Sequence, residues 1–86
     1  MEPQKIILYP LMGEKATFIR EKDNKLTFVV DKGANKSQIK EAVEELYKVR
    51  VVQVNTMKTM KGVKKAHVKL SSEDSAEEVS SHFGVL

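Results

Sequence analysis

The chain contains no cysteine and no tryptophan. Disulfide staples, thiolate metal sites and thiol nucleophiles are therefore excluded. Long apolar runs are also missing. The longest, such as Ile6-Ile7-Leu8 and Val51-Val52, fall far short of the ~20 residues a membrane-spanning helix needs. The run after Met1-Glu2-Pro3-Gln4-Lys5 is too short for a signal peptide, so a cytoplasmic protein without membrane insertion is expected. With 86 residues, one domain over positions 1–86 and one core are expected, burying roughly 60 to 65% of the unfolded surface. Such a domain is marginal by itself.

Acidic residues are absent from one stretch, and that absence carries the most information. The net charge is only +3. Residues 1–45 hold eight basic and eight acidic side chains, whereas residues 46–70 hold seven basic ones (Lys48, Arg50, Lys58, Lys61, Lys64, Lys65, Lys69) and no acid. The last sixteen residues carry only Glu73, Asp74, Glu77 and Glu78 as charges. An uncompensated basic block of this kind attracts a polyanion, most simply a nucleic-acid backbone.

Patterning predicts one layered α/β (α+β) domain, in the order (β)αβαββα, with an antiparallel sheet of three to four strands and helices. Lys5 to Tyr9, closed by Pro10, reads as a brief edge strand or extended lead-in. Met12 to Lys22 has helix-like apolar spacing, and Asp23-Asn24 is a turn signal. Leu26, Phe28 and Val30 alternate with polar positions as a half-buried strand does. Asn35 and Gln38 have capping-box spacing ahead of an apolar stripe of Ile39, Ala42, Val43, Leu46 and Tyr47. Val51 to Met60 reads as a strand with Val52, Val54 and Thr56 on one face and Val51, Gln53, Asn55 and Met57 on the other. Lys61-Gly62-Val63 reads as the hairpin loop leading to a strand with Ala66, Val68 and Leu70 on its apolar side. Ser75 and Glu78 form a second capping pattern before a short helix with Ala76, Val79 and Phe83, closed by Gly84. The expected core face comprises Leu26, Phe28, Val30, Val52, Val54, Ala66, Val68 and Leu70. The opposite face, with Lys25, Gln53, Asn55, His67 and Lys69, is expected to be polar and partly covered, by the first helix.

Catalytic constellations are not found. His67 and His82 lie outside any metal-ligand spacing, the serines cluster around a helix cap, and the four glycines are too dispersed for a phosphate loop. Neither a metal nor a cofactor is expected, and no enzyme activity. The lysines of the hairpin, Lys58, Lys61, Lys64, Lys65 and Lys69, suit phosphate rather than base reading. An RNA-recognition motif would place aromatics on its central strands, where this chain has Lys25, Gln53, Asn55, His67 and Lys69. Two other readings stay open. One is a free-standing protein-interaction domain using a helix surface or a sheet edge. The other is an acyl-phosphate hydrolase built on Arg20 and Asn55.

Several strings are familiar together. These are Ile6-Ile7-Leu8-Tyr9-Pro10 with Glu14-Lys15-Ala16, Asn24-Lys25-Leu26-Thr27-Phe28, Ala34-Asn35-Lys36 leading to Ile39, Lys40, Ala42 and Val43, Val51-Val52-Gln53-Val54-Asn55-Thr56, and Lys64-Lys65-Ala66-His67-Val68-Lys69-Leu70. In this order they resemble the ribosomal protein L23 family along nearly the whole chain. The resemblance implies a structural component of the large ribosomal subunit that binds large-subunit rRNA beside the peptide exit tunnel. It implies neighbouring ribosomal proteins as partners, with the signal recognition particle and the protein-translocation channel as factors docking nearby, and a monomer outside the ribosome. The rRNA-binding residues it implies, joined with the charge reading, are Tyr9, Pro10, Lys15, Lys36, Lys58, Lys61, Lys64, Lys65 and Lys69. Gly13 stands where the family usually has Thr, and His67 where an aromatic or β-branched residue is more usual. The short hairpin and the lack of a long basic N-terminal arm resemble the archaeal form.

Overall fold

The structure is a computed structural model that describes residues 2–11 and 22–80. The expectations for the first helix, for Gly13, Lys15, Arg20 and His82, and for the Phe83-Gly84 end of the last helix lie outside these residues. Among them, a single helical turn, α1 (Pro3–Ile6), precedes strand β1 (Ile7–Pro10). Pro3 stands at the start of α1, where its fixed φ and missing N–H cost nothing. Then follow β2 (Lys25–Val30), helix α2 (Lys36–Tyr47), β3 (Val51–Lys58), β4 (Lys64–Leu70) and a short α3 (Ala76–Ser80). The four strands form one antiparallel sheet in the order β1-β2-β4-β3. The lead-in is thus an edge strand, and the last strand along the chain, β4, lies inside the sheet.

Helix α2 starts as the capping box requires. Asn35 Oδ1 accepts from the Gln38 N–H at 2.8 Å, and Gln38 Oε1 accepts from the Asn35 N–H at 3.0 Å. Ile39, Ala42 and Val43 are buried, Tyr47 is half-buried, and Leu46 lies at the exposed margin of the stripe. The helix ends at Lys48 in the left-handed conformation. It packs over Leu26, Phe28, Val30, Ala66, Val68 and Leu70, and the Tyr47 ring stacks on Phe28 with centroids 5.7 Å apart.

One register detail departs from simple alternation. Val51 pairs with Leu70 and Gln53 with Lys69, so Val52 is the extra residue of a β-bulge. Val51 therefore points into the core at 2% exposure and Val52 outward at 56%, the reverse of the pattern expected from the sequence. Beyond the bulge the alternation resumes with Val54 buried opposite Val68.

Asn24 joins the start of β2 to the segment before α3. Its φ of 55° is left-handed. Its Nδ2 donates to the carbonyls of Asp74 at 2.9 Å and Ser71 at 3.2 Å, and its Oδ1 accepts from the Ala76 N–H at 2.8 Å. Asparagine suits this place because it tolerates the left-handed region and offers both donor and acceptor.

Three outcomes test this packing. In chemical denaturation, Val51→Ala lowers stability by roughly 2 kcal/mol and Val52→Ala by under about 0.5 kcal/mol, because only the first leaves a cavity. Equal losses would refute the bulge. Asn24→Ala costs about 2 to 3 kcal/mol through lost hydrogen bonds and left-handed strain, measured in the same way. Burial pushes the Tyr47 phenol above its ordinary pKa of 10.0. The folded state therefore holds that proton more tightly than the unfolded chain, and stability declines as pH rises past about 10. In alkaline denaturation Tyr47→Phe makes that decline shallower.

Candidate nucleic-acid interface

The hairpin between β3 and β4 is closed by local hydrogen bonds. Strand β3 ends at Lys58 rather than Met60, because the Thr59 carbonyl turns to accept from the Gly62 N–H at 3.0 Å. The Thr59 N–H donates to the Val63 carbonyl at 2.8 Å, and the Thr59 hydroxyl accepts from the Val63 N–H at 3.2 Å. Gly62 has φ 81°, a conformation that a side chain would strain. The tip is thus a fixed turn that holds Met60 and Lys61 in solvent.

The sheet's pleat divides the flanking lysines. Lys58 and Lys64 are cross-strand partners on the side facing α2, and Met57 and Lys65 are partners on the opposite face. Lys64 is not a free cation: its half-buried Nζ donates to the Ala34 carbonyl at 2.6 Å, just before α2. Lys36, on the first turn of α2, is therefore at the same end of the molecule as the hairpin.

Register brings Tyr9 to this region from far away in the sequence. Tyr9 pairs with Val29, Val29 with Lys65, and Lys65 with Met57, one row across all four strands on the opposite face. Tyr9 and Lys65 are thus two strand spacings, or roughly 10 Å, apart. Pro10 pairs with Phe28 one position on and faces the core side. The next rows on the opposite face are Thr27, His67 and Asn55, then Lys25, Lys69 and Gln53. This face is closed over β2, where Thr27 and Val29 are buried, and open over β3, where Gln53, Asn55 and Met57 are exposed. His67 is half-buried, and its Nδ1 lies 3.0 Å from the Thr27 hydroxyl, which gives that buried group a partner.

Lys69 is placed apart from the hairpin lysines. It pairs with Lys25 and Gln53 near the opposite end of the sheet, five residues or ~17 Å along β4 from Lys64. There the acidic residues gather: Asp74 Oδ2 accepts from the Arg50 N–H at 2.9 Å, and Glu44 Oε2 accepts from the Val51 N–H at 3.0 Å. Glu44, Lys48, Val49, Arg50, Glu73 and Asp74 line a shallow, open polar depression at that end. Of the residues expected to bind RNA, the structure therefore groups Lys36, Lys58, Lys61, Lys64 and Lys65, sets Tyr9 and Pro10 beside them, and separates Lys69. The sequence reading passed over Lys32, whose Nζ lies 3.6 Å from where a Cβ would sit on Gly62. It lies in the half of the sequence whose charges balance, which gave no cause to single it out.

The described residues contain no group of three His, Asp or Glu side chains able to hold a metal ion. Asn55 sits mid-strand opposite His67, away from any loop that could cradle a phosphoryl group. An adverse outcome for the closed hairpin is easily measured. Gly62→Ala lowers the thermal midpoint, corresponding to roughly 1 kcal/mol of left-handed strain, although a Cβ there would meet the Lys32 amine only at an ordinary contact distance of 3.6 Å. An unchanged midpoint would contradict the strained turn.

Residues 5–78 match the model of the family described as Ribosomal protein L23. Three similar proteins bear the name large ribosomal subunit protein uL23. The one from Pyrobaculum aerophilum is 53% identical over 76 residues, covering 88% of this chain and 94% of its own. That from Caldivirga maquilingensis is 48% identical over 86 residues, the whole of both chains. The Haloarcula marismortui protein is 50% identical over 81 residues, covering 94% of this chain and 95% of its own. A family match over most of the length, with relatives at about half identity end to end, joins the resemblance read from the strings to the sheet described above: this chain belongs to the ribosomal protein L23 family.

Proposed function

We propose that the protein is a structural, non-catalytic constituent of the large ribosomal subunit in the cytoplasm, acting as a single domain that holds large-subunit rRNA. Family membership supports the ribosomal assignment. The observation that carries the RNA contact is the lysine group at one end of the sheet, Lys36, Lys58, Lys61 and Lys65, set around a rigid hairpin. Lysines on a fixed turn neutralise phosphates without reading bases. Tyr9 and Pro10 flank that group on β1 and extend the contact across the sheet, with Lys15 continuing it along the chain. Lys69 serves a phosphate further along the backbone, and Lys64 adds its charge from the hairpin base.

The same reading places the protein beside the peptide exit tunnel, next to other large-subunit proteins. The signal recognition particle and the translocation channel dock on the surface that RNA leaves exposed. Outside the ribosome the protein is a monomer.

The expected behaviour is co-sedimentation with large subunits through a high-salt wash. For isolated protein and large-subunit rRNA, log K falls against log salt with a slope near −4 to −5 if about five lysines each neutralise a phosphate, at roughly −0.9 per contact. A flat response would sink the RNA assignment. Lys61→Glu with Lys65→Glu weakens binding at least tenfold at roughly 0.1 M salt by the same counterion argument. The thermal midpoint stays nearly unchanged, since exposed charges contribute little to folding.

A further inference from the structure

The basic patch in space is not the basic block in the sequence. Of that block, Lys48, Arg50 and Lys69 lie at the sheet end where Glu44, Glu73 and Asp74 gather. At the other end the hairpin gains lysines from the neutral first half of the chain. Segments 31–36 and 58–65 together hold six lysines and one acid, Asp31. The Asp31 carboxylate is turned back into its own loop, where Oδ2 accepts from the Gly33 N–H at 2.9 Å.

Two contacts join these segments. The Lys64 amine reaches from the base of the hairpin to the Ala34 carbonyl at 2.6 Å. The Lys32 amine reaches in the other direction and lies over Gly62, 3.6 Å from the position of a Cβ. Both loops are braced from within, the hairpin through Thr59 and the turn by the Ala34 N–H donating to the Asp31 carbonyl at 3.1 Å. The turn is also anchored to α1, because the Asp31 N–H donates to the Ile6 carbonyl at 2.9 Å.

We infer that the RNA-binding surface is composite, formed by the β2–α2 turn and the β3–β4 hairpin together, with Lys32 a phosphate contact and Lys64 the positioning residue that latches the two loops. This rests on the RNA-binding reading above. A phosphate backbone crossing the hairpin on the side facing α2 meets Lys58 and Lys61 from the hairpin and Lys32 and Lys36 from the turn. Lys64 keeps those two pairs at one spacing. Without the latch, the spacing between the two braced loops has to be fixed as the RNA binds, at an entropic cost.

The test measures binding of large-subunit rRNA transcribed from Pyrobaculum aerophilum across a range of potassium chloride. Lys32→Met is expected to lose roughly eightfold affinity at 0.1 M salt and to flatten the slope by about 0.9, the loss of one phosphate contact. Lys61→Met should behave alike. Lys48→Asn, which removes a charge at the far end and suits the left-handed backbone there, should bind as the parent does. Lys64→Met should weaken binding and make a further Lys32→Met nearly silent, and Lys64→Arg should restore both. If Lys32→Met binds like the parent while Lys61→Met is weakened, the composite surface is wrong and the RNA reading stands. Equal losses in Lys32→Met and Lys48→Asn would reduce the effect to net charge and overturn the proposal. Simply additive losses for Lys32 and Lys64 would overturn the latch. A parent whose affinity does not respond to salt would overturn the RNA reading itself, and this proposal with it.

Discussion

The strict alternation of β4 is the constraint on which the rest of the molecule depends. Ala66, Val68 and Leu70 must be buried, and they pair with core residues on both sides, Leu26 and Phe28 of β2 and Val51 and Val54 of β3. A slip of one residue in either pairing would bring Lys65, His67 and Lys69 into the core. Register is therefore specified from two directions at once. The hairpin inherits its place from that register, since Lys64 pairs with Val30 on one side and Lys58 on the other.

From that placement the electrostatics follow. Helix α2 runs back over the sheet from the hairpin end, where it begins at Lys36, to the start of β3, where it ends near Glu44 and Lys48. Acidic side chains at the far end accept from backbone N–H groups at the start of β3, as Asp74 and Glu44 do for Arg50 and Val51. That use keeps them away from the hairpin. Charge separation along the strand axis leaves one end of a nearly neutral small domain strongly positive, which concentrates attraction for a polyanion where the rigid turn is. A small domain with one thin core also gains stability from any ligand that binds only its folded form, as RNA would.

Much of the fold was legible because the physics is local. The Asn35 and Gln38 capping box, the helical stripe after it, the Gly62 turn and the alternation of β2 and β4 all depend on neighbours within a few residues. Departures arose where the partner is distant. The bulge at Val52 is imposed by pairing with β4 and cannot be seen within Val51-Val52-Gln53-Val54, since either valine suits a buried strand position. The α1 turn over Pro3–Ile6 is not legible in the sequence, and its last two residues, Lys5 and Ile6, read as part of the extended lead-in, because four residues carry no helical period.

The sequence by itself determined that this is a basic, cysteine-free, layered α+β domain of the ribosomal protein L23 family, because periodicity, capping pairs and motif strings are written in consecutive residues. Which lysines share a surface was decided by the tertiary structure alone. Lys69 left the group and Lys32 joined it, while Lys64 turned inward to Ala34. Charge is additive along a chain, but attraction for a phosphate depends on distance in space, and only the pairing of β2, β3 and β4 sets that distance.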